Sequence, residues 1–481
     1  MRILLASSEI HPYSKTGGLA DMVGALGKAL ARQGHQVGLV TPLYRGVREK
    51  FPDIQRLDWW LDVPWGEGRQ GGQVFHRQAE KNLTVYFIDR PDFFDRNGLY
   101  TEHGHGYPDN PERYLFFSKA VVHLANYLPW RPQALHLHDW QTALAAPLVH
   151  WQRQQGAPVN LPRTLFTIHN LAYQGICDAR FYALTNLPPA YWWPDGCEFF
   201  GAFNFLKGGI EYADLLTTVS PRYAREITTE AFGCQLDGVL RRRAAQLTGI
   251  LNGVDYEEWN TEHNPYLRHP YSWRNLAGKA ANKRELQREM GLPEREHVPL
   301  YGNISRLVDQ KGTDLLLGAL EEMLATEIQF VFLGSGEPVL EAACRRLAAR
   351  YPAQVAVRIG FDQPLSHRIE AGCDFYLMPS RFEPCGLNQM YSLRYGTVPI
   401  VRRTGGLDDS VVDYLDDPRR ANGIKFQEYS SRALARAMRK SLALYHEPAL
   451  LRRYRINGMK ADFSWDRTAR EYSALYQKMA G

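Results

Sequence analysis

Short apolar runs alternate with amphipathic helical patterns along almost the whole chain, and this alternation constrains the fold more than any other feature. Strand–helix–strand repetition predicts parallel sheets covered by helices on both faces. The runs form two series, so we predict an α/β protein with two doubly wound, Rossmann-like domains, each with a ligand crevice at the carboxyl ends of its strands. The predicted strands are Ile3–Ala6, Gln36–Thr41, Leu83–Ile88, Ala134–His138, Thr164–Ile168 and Leu215–Val219 in the first series, and Leu300–Ile304, Gln329–Leu333, Val355–Ile359, Asp374–Met378 and Val398–Val401 in the second.

The stretch from Leu251 to Pro299 separates the two series. It holds Asn252-Gly253, a polar region, and a basic helical pattern over Lys279–Met290. We therefore predict a first domain over 1–250, a second over 251–460, and a C-terminal helix over 461–481. The pattern leaves open which domain this helix packs on, including a return to the first.

Composition narrows the class of protein. The 481 residues are 44% hydrophobic and carry 57 Lys+Arg against 52 Asp+Glu, a net charge of +5 without a long basic run. Nucleic acid is therefore not favoured as a partner. The six cysteines form no C-x-x-C pair, which favours a reducing compartment. The chain begins as a strand rather than a signal peptide and has no membrane-spanning apolar stretch, so we expect a soluble, cytoplasmic protein with no membrane partner.

A lysine and two glycines follow the first strand, in the segment Ser14-Lys15-Thr16-Gly17-Gly18-Leu19-Ala20-Asp21. Glycines at a helix start allow close approach of a ligand, the free N–H groups there suit an anion, and Lys15 adds a full charge. The pattern predicts a phosphate-bearing ligand near this turn. Taken alone, it is equally compatible with an ordinary βα turn carrying a surface lysine.

Two cations lie five residues apart after the first strand of the second series. Arg306 and Lys311 occupy a loop that ends at Gly312 before a helical pattern. Arginine grips two oxygens at once and lysine supplies a point charge, so the pair suits a diphosphate. A solvated charged loop is the alternative.

An acidic residue follows a later strand of the second series. Pro384 suits the first turn of a helix, which predicts Glu383 at a helix entrance, where a carboxylate can accept hydrogen bonds from sugar hydroxyls. A simple helix cap is the alternative. The amides expected to face the crevice belong to Cys385, Gly386 and Leu387. A second glycine pair, Gly405-Gly406, follows the next strand.

Histidine and acidic side chains end two strands of the first series, in His136-Leu137-His138-Asp139-Trp140 and Thr167-Ile168-His169-Asn170. The carboxyl ends of parallel strands form the functional edge of such a sheet, so these groups are candidates for the site. No third ligand has convincing metal spacing beside His136 and His138, and we predict no metal.

Taken together, the motifs resemble those of bacterial glycogen synthases, the ADP-glucose-dependent family that also includes plant starch synthases, over roughly residues 1–478. The matching segments, in order, are Lys-Thr-Gly-Gly-Leu-Ala-Asp (15–21), His-Asn (169–170), Leu-Asn-Gly-Val-Asp (251–255), Ser-Arg-Leu-x-x-Gln-Lys-Gly (305–312), Pro-Ser-Arg-Phe-Glu-Pro-Cys-Gly-Leu (379–387) and Arg-Thr-Gly-Gly-Leu (403–407). Related retaining transferases often carry a second glutamate eight residues after the first, where this chain has Tyr391.

The resemblance implies a retaining glycosyltransferase of the two-Rossmann (GT-B) architecture with a cleft between its domains that closes on the substrates. It would move α-glucose from ADP-glucose to the non-reducing 4-hydroxyl of an α-1,4-glucan, without metal or cofactor. By the same resemblance, Arg306, Lys311, Glu383, His169 and Lys15 would be catalytic. The substrate-binding set would be Lys15, Gly17, Gly18, Asp21, Asp139, Trp140, Asn170, Asn252, Cys385, Gly386, Leu387 and Asn388.

Retention of configuration has two physical routes. A covalent intermediate needs a carboxylate on the β face of the sugar, and no clear candidate stands out in these motifs. The resemblance favours the other route, a front-face displacement in which the leaving phosphate takes the acceptor proton. Two alternatives stay open: a related transferase that uses UDP-glucose or makes maltose 1-phosphate, and a non-catalytic glucan-binding protein. A glucan phosphorylase would need a pyridoxal-phosphate lysine and a longer chain.

Overall fold

The computed structural model describes residues 1–156 and 161–480, and the chain divides into two compact units. The first unit is Met1–Gly253 with Trp465–Gly481, and the second is Val254–Ser464. Each unit is built around one large α/β sheet.

The first unit holds a nine-stranded sheet in the order β14-β13-β9-β8-β1-β2-β5-β4-β3, in which the β3–β4 and β4–β5 pairs are antiparallel and the other pairs are parallel. The strands of this unit are β1 (Arg2–Ala6), β2 (Gln36–Pro42), β3 (Gln55–Trp65), β4 (Gly68–Glu80), β5 (Leu83–Asp89), β6 (Thr101–Glu102), β7 (His105–Gly106), β8 (Ala134–His138), β9 (Arg163–Ile168), β10 (Ile176–Cys177), β11 (Glu198–Phe199), β12 (Ala202–Asn204), β13 (Leu215–Thr218) and β14 (Leu247–Gly249). Strands β6 and β7 form a small sheet of their own, and β10, β12 and β11 form another.

The helices of this unit cover the sheet, with α1 starting at the predicted Gly17-Gly18 turn. They are α1 (Gly18–Arg32), α2 (Val47–Lys50), α3 (Pro91–Phe94), α4 (Asn110–Tyr127), α5 (Trp140–Ala143), α6 (Ala145–Gln154), α7 (Phe205–Tyr212), α8 (Pro221–Glu226) and α9 (Asp237–Arg242). Helix α1 buries Met22, Val23, Leu26 and Leu30, the apolar positions at helical spacing.

The β3–β4 hairpin is absent from the sequence prediction. Its strands carry Pro64 and the pair Gly71-Gly72, residues that weaken a strand pattern. The structure tolerates Pro64 because β3 is the edge strand of the sheet, where a missing N–H costs no ladder bond. Gly66, with a φ of 56°, makes the tight turn between the two strands.

The second unit holds a six-stranded, fully parallel sheet in the order β17-β16-β15-β18-β19-β20. Its strands are β15 (Leu300–Ile304), β16 (Gln329–Gly334), β17 (Val355–Ile359), β18 (Phe375–Met378), β19 (Val398–Arg402) and β20 (Ile424–Phe426). Its helices are α10 (Ala277–Glu289), α11 (Thr313–Met323), α12 (Pro338–Arg350), α13 (Gln363–Gly372), α14 (Asn388–Arg394), α15 (Gly405–Ser410), α16 (Ser431–Tyr445) and α17 (Pro448–Lys460).

The last helix, α18 (Trp465–Ala480), belongs to the first unit and packs against α1. Tyr472 and Tyr476 on its buried face are fully enclosed. The hydroxyl of Thr468 donates to the carbonyl of Leu251, 3.0 Å away, so the start of the helix is fastened to the end of the first unit's chain. In the part of the chain that is described, no helix is long and apolar enough to cross a membrane.

Candidate active site

Lys15 lies on the surface of the first unit, just before α1. Its Nζ is 2.8 Å from Oδ1 of Asp21 in the first turn of that helix, and the two side chains are 48% and 31% exposed. Exposed ion pairs of this kind contribute little to stability. Lys15 can therefore exchange Asp21 for an anionic ligand at small cost.

Glu9, which the sequence analysis missed, occupies the amides of this turn. Its buried carboxylate accepts hydrogen bonds from the backbone N–H groups of Thr16 and Gly17, and from the hydroxyls of Thr16 and Tyr100 at 2.7 and 2.8 Å. The Gly17 amide thus already has an acceptor within the protein. No atom lies within 4 Å of where a Gly17 Cβ would stand, so the turn still leaves room for close approach by a ligand.

Three histidines meet beneath the carboxyl ends of β8 and β9. His138 Nδ1 lies 3.0 Å from His169 Nε2, while His136 lies 2.6 Å from Thr167 Oγ1 and 2.7 Å from the Tyr476 hydroxyl of α18. Burial lowers the pKa of all three imidazoles, that of His169 to about 3. The cluster is therefore neutral at physiological pH, and His138 holds the His169 ring in place.

Asp139 fixes the backbone of His169. It adopts a φ of 57°, and its Oδ1 accepts the His169 N–H at 2.7 Å. Burial raises the pKa of Asp139 to about 7, against the opposing effect of this hydrogen bond. A carboxyl and an amide thus hold the chain in one conformation where β9 ends.

The remaining first-unit candidates line the same sheet edge or lie beyond its last strand. Trp140 packs its ring against Tyr114, at a centroid distance of 5.1 Å, and is only partly exposed. Asn170 closes a local turn by accepting the N–H of Ala172 at 3.1 Å. Asn252 is buried, and its Oδ1 has no hydrogen-bond partner among residues 1–156 and 161–480. A buried amide oxygen without a donor is suited to receiving one from a ligand.

In the second unit, Lys311 and Glu383 form a close ion pair. Lys311 Nζ is 2.6 Å from Glu383 Oε2, the side chains are only 20% and 7% exposed, and the Ser380 hydroxyl donates to the same oxygen at 3.0 Å. Gly312 makes this possible, because a Cβ there would stand 2.3 Å from the carbonyl oxygen of Pro379. The two loops are thereby locked together at the carboxyl ends of β15 and β18.

Arg306 differs from Lys311 although both belong to one loop. Its side chain is exposed and makes no hydrogen bond or ion pair with any residue that the structure describes. The guanidinium therefore has all of its donors open to a ligand, on the same loop that carries the paired Lys311.

The predicted helix entrance at Glu383 is wrong. Helix α14 begins at Asn388, and residues 384–387 form a loop in which Gly386 has a φ of 71°. The reason is the glycine pair after β19: the Gly406 N–H donates to the Glu383 carbonyl at 3.1 Å, and a Cβ on Gly405 would clash with that carbonyl. Backbone packing thus overrides the local preference of proline for a first helical turn.

The side-chain amide group of Asn388, the first residue of α14, makes hydrogen bonds within the protein. It donates to the Ile304 carbonyl and to the Tyr376 hydroxyl, both at 2.7 Å. These bonds tie the helix start to the end of β15.

Two aromatic residues at this edge were not predicted as site residues. Phe361 follows β17 and is 88% exposed. Tyr391, at the position where related transferases carry glutamate, stacks on Trp259 at 3.7 Å and nearly parallel. A signal for Phe361 was present in the sequence, since a large apolar residue directly after a buried strand and a glycine has no place in the core.

The arrangement suits an anion bound next to a polar, uncharged group. Among the described residues, no cluster of three or more His, Cys, Asp or Glu side chains could hold a metal ion. A free guanidinium, a lysine and a fixed carboxylate at one sheet edge match a diphosphate joined to a sugar.

The comparisons with known proteins agree with this chemistry. A family model for the starch synthase catalytic domain matches residues 2–242, and one for glycosyl transferases group 1 matches residues 283–460. A glycogen synthase from Anaeromyxobacter sp. (strain Fw109-5) is 47% identical over 481 residues, covering 100% of both chains. Glycogen synthase 2 from Nitrosococcus oceani is 45% identical, covering 99% of this chain and 97% of that protein.

Solved structures show the same relation. The catalytic domain of Starch Synthase IV from Arabidopsis thaliana, bound to ADP and acarbose, has a TM-score of 0.89 and 34% identity, covering 100% of this chain and 99% of that one. Sucrose-phosphate synthase from Thermosynechococcus elongatus, at 18% identity and a TM-score of 0.61, shares the fold. Fold and site define a glycosyltransferase with two Rossmann-like α/β domains, as predicted. The chain belongs to the glycogen synthase and starch synthase family.

Proposed function

We propose that this protein transfers an α-glucosyl group from ADP-glucose to the non-reducing 4-hydroxyl of an α-1,4-glucan, with retention of configuration. The observation that carries the proposal is the open guanidinium of Arg306 on the same loop as Lys311, whose ion pair with Glu383 lies at the carboxyl edge of the second unit's sheet. Its geometry supplies charge for a diphosphate and a fixed acceptor for sugar hydroxyls.

The second unit is proposed to hold the donor. Arg306 and Lys311 bind the diphosphate and stabilise the charge that develops on departing ADP. Glu383 accepts hydrogen bonds from the glucose hydroxyls, and the backbone of residues 385–387 with Asn388 completes the sugar pocket. Phe361, exposed at the same edge, offers a flat apolar face on which the adenine can stack.

The first unit is proposed to serve the reacting carbon and the acceptor. Lys15, released from Asp21, approaches the phosphates, with the backbone at Gly17 and Gly18 beside it. The resemblance to the family assigns the His169 backbone carbonyl to the positive charge that develops on the sugar, while the neutral imidazole is bonded to His138. Asp139, Trp140, Asn170 and Asn252 shape the sugar pocket around it.

The proposed step is a front-face displacement. The bond between glucose C1 and the diphosphate oxygen breaks, the acceptor O4 bonds to C1 on the same face, and the hydroxyl proton passes to the departing phosphate. No protein nucleophile, metal ion or cofactor enters the step. We also propose that the reaction takes place in the cytoplasm, which is consistent with six cysteines that form no disulfide among the described residues.

A donor-choice assay tests the proposal. Labelled ADP-glucose and UDP-glucose are offered with glycogen, and with glucose 1-phosphate as a second acceptor, in the presence of EDTA. We expect polymer labelling from ADP-glucose, with α-linkages in the product. Absence of polymer labelling from ADP-glucose, or labelling of glucose 1-phosphate instead, would contradict the proposal.

A further inference from the structure

A hollow of about 370 Å³ opens on the first unit between the β3–β4 hairpin and the segment that follows β5. We call it the Trp60 hollow and define it by Trp60, Gly71, Gly72, Asp89, Arg90 and Asp92. None of these residues belongs to the candidate active site. Its volume lies within the range typical of small-molecule sites.

One wall of the hollow is the indole ring of Trp60, which packs on the backbone of Gly71. A Cβ on Gly71 would stand 2.6 Å from the Trp60 ring, so the indole covers this glycine closely. Trp60 is nevertheless 58% exposed. Only a residue without a side chain at position 71 lets the indole lie flat, and its other face is left to the solvent.

The polar groups of the hollow accept hydrogen bonds rather than donate them. Arg90 uses four of its five N–H donors within the protein: it donates to both Asp92 oxygens at 2.7 and 3.0 Å, to Gln70 at 2.6 Å and to the Gly71 carbonyl at 2.8 Å. Asp89 is half-buried, and nowhere in the described ranges does a residue donate a hydrogen bond to its carboxylate. The charge of Arg48 acts on Asp89 without a hydrogen bond, so the carboxylate keeps open acceptor positions, which favour hydroxyl donors over phosphates and nucleotides.

The ligand that fits is neutral, has a flat apolar face and carries hydroxyl donors. A glucosyl ring packs its C–H face on an indole while its hydroxyls donate to a carboxylate. The hollow also lies at the end of β5, which one strand separates from β1 in the sheet, so the two strand ends are roughly 10 Å apart at the usual spacing. We infer that the Trp60 hollow binds a chain segment of the α-1,4-glucan at the same sheet edge as the candidate site, an inference that rests on the proposed function.

Glycogen retention in native gels, measured on the full-length protein without donor, tests this inference. Trp60→Ala should weaken retention by glycogen about tenfold, and Asp89→Asn, which keeps the shape and removes the charge, several-fold. Tyr127→Ala is the matched control, because Tyr127 is a 63% exposed aromatic residue of the same unit outside the hollow. It should retain native affinity. ADP added to the gel should leave the Trp60 difference unchanged.

Kinetics separate this inference from the proposed function. With ADP-glucose as donor, Trp60→Ala should raise the KM for glycogen about tenfold and leave kcat with maltose as acceptor unchanged. If Trp60→Ala and Asp89→Asn both bind glycogen like the native protein, the hollow is not a glucan site, whatever the transferase activity. If native protein transfers no glucose at all, the proposed function fails, and the gel still reports on the hollow. A circular dichroism melt that matches the native protein excludes misfolding of either variant.

Discussion

The charged groups at the sheet edge of the second unit are held much more tightly than those of the first. Lys311 and Glu383 are mostly buried and 2.6 Å apart, whereas Lys15 and Asp21 are 48% and 31% exposed at 2.8 Å. An ion pair out of water depends on both partners, and an exposed pair hardly depends on either. The second unit thus has a preformed charge arrangement, and the first has a cation that can be redirected.

The buried polar groups at the ends of β8 and β9 in the first unit differ from the charged groups of the second unit in that they are mostly neutral. The three histidines at the ends of β8 and β9 are neutral, and burial raises the Asp139 pKa to about 7, so this cluster contributes oriented dipoles and little charge. The second unit carries formal charges at the carboxyl edge of its own sheet, which suits the diphosphate of the proposed donor. This division is what a transferase requires if one unit holds the anion and the other shapes the space around a sugar carbon.

The largest expected effect comes from Lys311→Ala. Transfer should fall at least about 100-fold, since a charge that stabilises the leaving group is lost. The free energy of unfolding should also fall by about 3 kcal/mol, because the buried Glu383 carboxylate loses its partner. Initial rates and urea unfolding measure both. In the double variant with Glu383→Ala, stability should partly return while the rate of transfer stays at least as low as in the single variant. Equal stability of the native protein and Lys311→Ala would show that the pair is not structurally important.

Arg306→Ala should separate activity from stability. We expect a similar loss of transfer, about 100-fold, with an unfolding free energy within about 0.5 kcal/mol of native, because the side chain has no partner among the described residues. Arg306→Lys should restore only part of the rate, since an ammonium cannot grip two phosphate oxygens in a fixed plane. Full activity in Arg306→Lys would mean that only the positive charge at this position matters, and not the two-oxygen grip of a guanidinium.

Sequence reasoning succeeded where candidate site residues come directly after a buried strand. The loops after β8, β9 and β15 were placed correctly because buried parallel strands are read as uninterrupted apolar runs, and the carboxyl edge then collects whatever follows them. Local periodicity also gave α1 and α10.

Sequence reasoning failed where contacts with distant segments of the chain determine the local structure. Glu9 becomes a cap for the Thr16 and Gly17 amides only because Tyr100, 91 residues away, helps hold its carboxylate. Pro384 does not start a helix because the backbone of Gly405-Gly406 packs against the preceding residue. Neither contact leaves a trace in the spacing of the residues involved.

Lys15→Ala tests whether Lys15, which pairs with Asp21 in the structure, contributes its charge to the reaction. Transfer should fall about tenfold, less than for Lys311, because an exposed charge acts through a higher dielectric constant. Stability should stay within about 0.5 kcal/mol of native. Asp21→Asn is the control: it removes the folded-state partner and keeps the lysine, so it should cost less activity than Lys15→Ala. A larger loss in Asp21→Asn would mean that the carboxylate itself contacts substrate.

The smallest expected effect concerns the pH dependence of stability that arises from Asp139 in the first unit. The Asp139 pKa is raised to about 7 in the folded protein, while an unfolded aspartate titrates near about 4. Between these values the folded state binds more protons, so this group makes stability fall as pH rises from about 4 to 7. Asp139→Asn should abolish that contribution, by about 1 kcal/mol given the partial exposure of the side chain.

Asp214, in the same unit, provides the opposite sign. Burial alone would raise its pKa, but hydrogen bonds from Thr164 and the Arg153 guanidinium keep it below the ordinary value. Its contribution to stability is therefore present at neutral pH and is lost as pH falls into the acid range. Urea unfolding of both asparagine variants from pH 4 to 8 should give differences from native of opposite sign at pH 8, with Asp139→Asn stabilised and Asp214→Asn destabilised. A pH-independent difference for Asp139→Asn would mean that this carboxyl is ionised throughout, and that the first unit carries a buried negative charge where the proposed chemistry needs a neutral surface.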